Sequence, residues 1–281
     1  MSGPASSPAP ARLVGLVVCA QLVAFWPAIH WSLVRTRYDS DERWELLALA
    51  LAAAFVLQRG WRARRADGLR LSARSLIGAA AAVAVYAGVQ SELSPLARAA
   101  AAATILAASL SAWVVGRRAF LGLWGLLLLA LPVLPVLQFQ LGYPLRLASA
   151  WLAAPLLALG GLDVEVVGTC LRWSGELVWV DAPCSGVRMV WSGLLVVFAG
   201  ACALDLDGRR SLQALALAVP SLVLANALRT AALFQLEVGL VSLPAWGHDG
   251  VGLVVQALVM AWVAFTLTRL EQRSCVPPCS I

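Results

Sequence analysis

Long apolar runs punctuated by arginine constrain this chain more than any other feature. Eight stretches, near residues 13–34, 44–58, 75–89, 99–115, 120–136, 189–204, 212–236 and 251–267, are built mainly of Ala, Leu and Val. Crossing the hydrocarbon core of a bilayer takes about 20 such residues in a helix. Of the 281 residues, 61% are hydrophobic and 13% charged, whereas a soluble domain carries about 25% charged residues. A soluble globular domain, a disordered chain and a collagen-like repeat are thereby excluded. The sequence predicts an all-α polytopic membrane protein with about eight transmembrane helices. The runs at 44–58 and 75–89 are short for a full crossing, and are expected to draw on flanking arginines that snorkel or to tilt less than the others.

All 21 positive charges are arginine, and against 15 acids they leave a net charge of +6. Because these charges sit between the apolar runs, they read as topology determinants, and no nucleic-acid partner is expected. With eight spans, 13 arginines fall on one face: Arg12, the group from Arg59 to Arg74, Arg117, Arg118, Arg209, Arg210, Arg269 and Arg273. The opposite face keeps Arg35, Arg37, Arg43, Arg98, Arg146 and Arg172, diluted by acids such as Asp39, Asp41, Glu42, Glu45, Glu92, Asp163, Glu165 and Glu176. The positive-inside bias then puts both termini in the cytoplasm.

Residues 1–11 form a Pro/Ser/Ala tail without periodicity, expected to be disordered and cytoplasmic. The first run contains Pro27 and lacks a small-residue cleavage site, so it reads as a retained helix. Between 137 and 187 lies the longest segment outside a span. Residues 144–159 are expected as a re-entrant or interfacial helix, and 163–180 as a short extracytoplasmic β-hairpin turning at Ser174-Gly175 before the sixth span.

Chemistry-bearing residues gather on the predicted outer side. In Asp181-Ala182-Pro183-Cys184-Ser185-Gly186-Val187-Arg188, Pro183 suits a first helical turn and Asp181 or Ser185 can cap it. Cys184 then sits where the positive helix end favours a thiolate, with Arg188 four residues on and expected on the same face. The other reading of Cys184 is a small inert loop residue. Arg229, three residues after Asn226 in the seventh run, is either retained for a site or snorkels to the interface. His248 precedes the last run in a loop and is followed by Asp249, which can orient its ring; an ordinary solvated histidine is the alternative. His30 reads as an interfacial side chain, and Cys19 and Cys202 as packing residues. Two histidines and scattered cysteines make no metal-ligand spacing, so neither metal nor cofactor is expected. A redox protein using Cys170 with Cys184, or Cys275 with Cys279, competes with catalysis by Cys184, as does a transporter or structural role.

Taken in order, Cys184-Ser185-Gly186-x-Arg188, Asn226-x-x-Arg229 and His248 resemble the exosortase/archaeosortase family over about residues 120–270. The resemblance implies catalytic Cys184, Arg229 and His248, supported by Arg188, Asn226, Ser185 and Asp249. It implies a membrane-embedded cysteine protease or transpeptidase of the bacterial cytoplasmic membrane, facing outward and surrounded by lipid. Its partners would be exported proteins with a C-terminal sorting signal: a Pro-Glu-Pro-like motif, a transmembrane helix and a basic tail. The expected chemistry is attack by the Cys184 thiolate, oxyanion stabilisation by Arg229 and proton transfer by His248, through a thioester. The organisation is then tail 1–11, an N-terminal four-helix region 12–118, a catalytic core 119–270 and a tail 271–281.

Overall fold

The computed structural model describes residues 8–9, 11–38, 44–65, 69–70, 72–115, 120–180, 182–244 and 246–272. Residues 1–7, 10 and 273–281 of the expected tails, Cys275 and Cys279 included, along with Asp39, Asp41, Glu42, Arg43, Arg117, Arg118 and Asp181, lie outside the described residues, whereas Pro8 and Ala9 of the tail expected to be disordered form a short strand. Apolar periodicity yields a mostly helical chain that divides into two compact units, residues 1–133 with 198–211, and residues 134–197 with 212–281.

The first unit carries α1 (Ala11–Ala24), α2 (Trp26–Tyr38), α3 (Glu45–Arg65), α4 (Ala73–Val89), α5 (Pro95–Leu110) with a π-helical extension (Ser111–Val115), and α6 (Phe120–Leu129). A two-residue ladder joins β1 (Pro8–Ala9) to β2 (Leu69–Arg70). The single span expected at 13–34 is instead two helices bent by 67°. Pro27 is the cause, because its missing N–H cannot continue the ladder of α1. Phe25 fills the bend, buried edge-on against Tyr86 at 5.0 Å. Gln21 Nε2 donates to Ser109 Oγ at 2.8 Å inside the apolar unit, while Gln21 Oε1 has no partner among the described residues.

The run expected as one span over 120–136 also breaks, leaving the helix after Leu129 and resuming at Leu134. Pro132 stands in the break and Pro135 in the next first turn, where its absent N–H costs nothing. Glu45, expected as a solvated loop acid, is 1% exposed, and its Oε1 accepts the Val133 N–H of this break at 2.9 Å. That bond satisfies a donor the helices abandon.

The second unit begins with α7 (Leu134–Leu159), one helix of 26 residues that includes Pro144 and Pro155. It replaces the separate re-entrant helix expected at 144–159: each proline removes one ladder bond, and the other bonds of the helix carry it through. An antiparallel meander follows, β3 (Glu165–Val167), β4 (Cys170–Trp173) and β5 (Glu176–Trp179). The turn at Ser174-Gly175 joins β4 to β5, with Gly175 at φ +85°. The sheet has a third strand beyond the expected hairpin: the backbone of β3 pairs with β4 over three residues, and Glu165, opposite Arg172, meets it at 2.9 Å.

Then come α8 (Val187–Ala203), α9 (Gly208–Glu237) and α10 (Gly247–Gln272). Asp207 caps α9, its Oδ1 accepting Arg210 N–H at 2.9 Å. Among the described residues, four helices are long and apolar enough to cross a membrane, and up to six spans result if each bent pair counts as one. The eight expected are reduced because α4 and α8 have only 17 residues each and two runs are broken by proline. Large apolar side chains such as Leu253, Leu258 and Phe265 stay exposed on α10, the surface that hydrocarbon covers.

Candidate active site

Cys184 stands in a 3-10 turn (Ala182–Ser185) that is separate from α8. Gly186, at φ +83°, divides the two. A Cβ there would stand 2.7 Å from Asn226 Cγ, so only glycine lets the turn lie against α9. The break corrects the expected shared helical face: Cys184 and Arg188 belong to different elements, and Arg188 is exposed on the first turn of α8. Ser185 partly meets its capping expectation, since its Oγ accepts Val187 N–H at 3.4 Å while its hydroxyl donates to Gln138 Oε1 at 3.3 Å.

Asn226, 3% exposed in α9, holds the turn from behind. Its Nδ2 donates to the Cys184 carbonyl at 3.0 Å and to Ser149 Oγ of α7 at 2.7 Å. A carbonyl only accepts, so the amide orientation is fixed by chemistry. The Oδ1 is thereby left buried without a partner among the described residues. Ser149, Gln138 and Gly186 were missed by sequence reasoning; Gly186 alone carried a signal, being inside the cysteine motif.

Cys184 and His248 line one cavity of about 350 Å³, together with Thr230, Phe234, Glu237, the β5 residues Glu176 and Trp179, and Val180 just after that strand. Cys184 is half-buried, packed beside the cluster of Leu157, Leu171, Val180 and Phe234. His248, expected in a loop, lies in the first turn of α10, because Gly247 N–H bonds to the Pro244 carbonyl at 2.7 Å and Gly250 N–H to the Trp246 carbonyl at 2.9 Å, starting the helix early. Its Nδ1 stands 3.7 Å from Asp249 Oδ1, beyond hydrogen-bond reach, and the Asp249 side chain is 91% exposed. Asp249 therefore does not fix the ring here.

Arg229 reaches α10 at Gly252, where a Cβ would stand 3.2 Å from its Nε. Gly252 follows His248 by four residues, hence on the same helical face and about 6 Å along the axis. Its Nε is buried and has no acceptor among the described residues. Cys184 and His248 thus share a cavity that neither Asn226 nor Arg229 lines; Asn226 holds the cysteine turn, Arg229 packs on α10 one turn from His248, and Arg188 and Asp249 are exposed. No disulfide joins Cys170 to Cys184, and Cys170 is buried opposite Trp179. Among the described residues no group of three His, Cys, Asp or Glu is placed to hold a metal.

The family model described as transmembrane exosortase (Exosortase_EpsH) matches residues 31–265. The chain belongs to the transmembrane exosortase family. The match takes in the exosortase cysteine turn, α9 and His248, and with the apolar helices it makes this an integral membrane protein. No curated protein and no solved structure matches the chain.

Proposed function

We propose that this exosortase cleaves the C-terminal sorting signal of exported proteins at Cys184 and passes the acyl group on from a thioester. The observation that carries the reading is the shared cavity of Cys184 and His248, with Arg229 seated one turn along α10 from His248. The Cys184 thiolate attacks the scissile carbonyl. Arg229 donates to the resulting oxyanion, which accounts for a buried guanidinium N–H with no partner among the described residues. His248 gives a proton to the leaving amine, then takes one from the nucleophile that resolves the thioester. Asn226 and Ser185 support the cysteine turn, while Arg188 and Asp249 contact substrate at the margin. The catalytic core is residues 119–270, with 12–118 a membrane region before it.

The cytoplasmic membrane of a bacterium is the proposed setting, termini inside and site outside. Arg59 pairs with Asp205 at 3.2 Å, so two loop regions assigned to the arginine-rich face lie together, in keeping with that sidedness. The test is a secreted reporter ending in a Pro-Glu-Pro-like motif, an apolar helix and an arginine tail. Cells making the wild-type protein should shorten it, and cells making Cys184→Ala should not; equal shortening by both overturns the proposal.

A further inference from the structure

An arginine inside a helical bundle needs room as well as a partner. The guanidinium of Arg229 runs along α10 at Gly252, where an added Cβ would meet Nε at 3.2 Å and both Cζ and Nη2 at 3.5 Å. Nothing in α10 itself asks for glycine there: the position is interior helix without a positive φ, the setting in which glycine is the poorest residue after proline. By contrast Gly247 is required by Leu243, whose Cβ would lie 2.4 Å away, and Gly250 faces only the exposed Trp246 ring at 3.3 Å. We infer that Gly252 is the positioning residue of Arg229: its bare backbone seats the guanidinium one turn from His248 and keeps the buried Nε–H available to an oxyanion. The packing half of this inference stands alone, and its catalytic half rests on the function proposed above.

The two halves separate in one set of full-length variants purified in detergent: Gly252→Ala, Gly250→Ala, Arg229→Ala and the double variant Gly252→Ala/Arg229→Ala. Alanine for glycine inside a helix ordinarily stabilises. Gly250→Ala should therefore raise the apparent Tm, and Gly252→Ala should lower it with Arg229 present and raise it in the Arg229→Ala background. A rise in both backgrounds overturns the contact. For chemistry the probe is p-nitrophenyl acetate, whose attack by Cys184 forms a tetrahedral oxyanion and then a Cys184 thioester, releasing p-nitrophenolate without an acid. The Cys184-dependent burst should slow about 10-fold or more in Gly252→Ala and hold in Gly250→Ala, on the scale of losing part of one oxyanion donor. Alkylation of Cys184 by iodoacetamide, a displacement with no oxyanion, should keep its rate in both. Equal slowing of alkylation and acylation, or an unchanged burst, overturns the positioning role. A wild-type protein with no Cys184-dependent burst overturns the proposed chemistry, and the catalytic half with it, while the Tm pair still decides the contact.

Discussion

Replacing Asn226 tests the nucleophile turn directly. The side chain is 3% exposed and spends both Nδ2 hydrogens, one on the Cys184 carbonyl at 3.0 Å and one on Ser149 Oγ at 2.7 Å. Asn226→Ala leaves both acceptors without this donor in a dry environment, at about 1–3 kcal/mol for each buried group left unsatisfied. Asn226→Asp keeps the shape and reverses the electrostatics, setting a carboxylate oxygen against a carbonyl oxygen. It either buries a charge or forces protonation, both costlier than truncation. If about 1.4–2.8 kcal/mol of the loss falls on the 182–185 turn, the equilibrium constant for holding Cys184 in place drops about 10- to 100-fold. The Cys184-dependent p-nitrophenolate burst and the apparent Tm should then both rank wild type above Asn226→Ala above Asn226→Asp. An Asn226→Asp protein with wild-type burst and Tm would refute the reasoning, because the donor role of Nδ2 is the whole of it.

Further outcomes follow from the same geometry. Cys184→Ala and Cys184→Ser should abolish reporter shortening with the protein still inserted, whereas Cys170→Ser should retain it; an essential Cys170, read in the same reporter assay, would favour redox chemistry. A membrane-impermeant maleimide added to intact cells should label a cysteine placed at Ser242 and not one placed at Ala66, and the reverse pattern would invert the sidedness. Arg229→Lys should keep a little activity, since charge survives without the planar fork, while Arg229→Ala should lose about 10²-fold or more in single-turnover cleavage. His248→Ala should block cleavage of the peptide signal yet still allow slow acylation by the activated ester; unchanged peptide cleavage would remove His248 from the mechanism.

The membrane class was legible because it depends on composition and run length, which single residues barely alter. Span count was not, and the reasons are local. Pro27 and Pro132 each sit within runs that hold no Arg, Asp or Glu, so hydropathy passes over them while the backbone cannot. Conversely Pro144 and Pro155 look like breaks in the sequence and leave α7 whole. The third strand depended on a backbone pairing of β3 with β4 that no alternation pattern states. Within the site, the residue types were legible and their elements were not. Four-residue spacing put Arg188 beside Cys184 only on the assumption of a continuous helix, and Gly186 cancels that assumption with one positive φ. His248 moved from loop to helix because backbone bonds from Gly247 and Gly250 start α10 ahead of its apolar run.

The side chains of α9 show why such a site is stable enough to exist. Asn226, Arg229 and Thr230, spaced i, i+3 and i+4, make one polar stripe on the otherwise apolar stretch of α9 from Leu222 to Phe234. Thr230 turns its hydroxyl back to the Asn226 carbonyl at 2.9 Å and lines the cavity with its remaining surface. Asn226 is satisfied through Nδ2, and it requires Gly186 opposite; Arg229 requires Gly252 opposite. Each polar member that reaches across from α9 is thus matched by a glycine on the element it faces, one on the cysteine turn and one on the histidine helix. Two buried atoms of the stripe lack partners among the described residues, Asn226 Oδ1 and Arg229 Nε, an acceptor and a donor. A folded protein tolerates few such atoms unless something else uses them. A substrate held at Cys184 brings groups of both kinds: peptide N–H donors, and a carbonyl oxygen that becomes an anion as the thiolate adds.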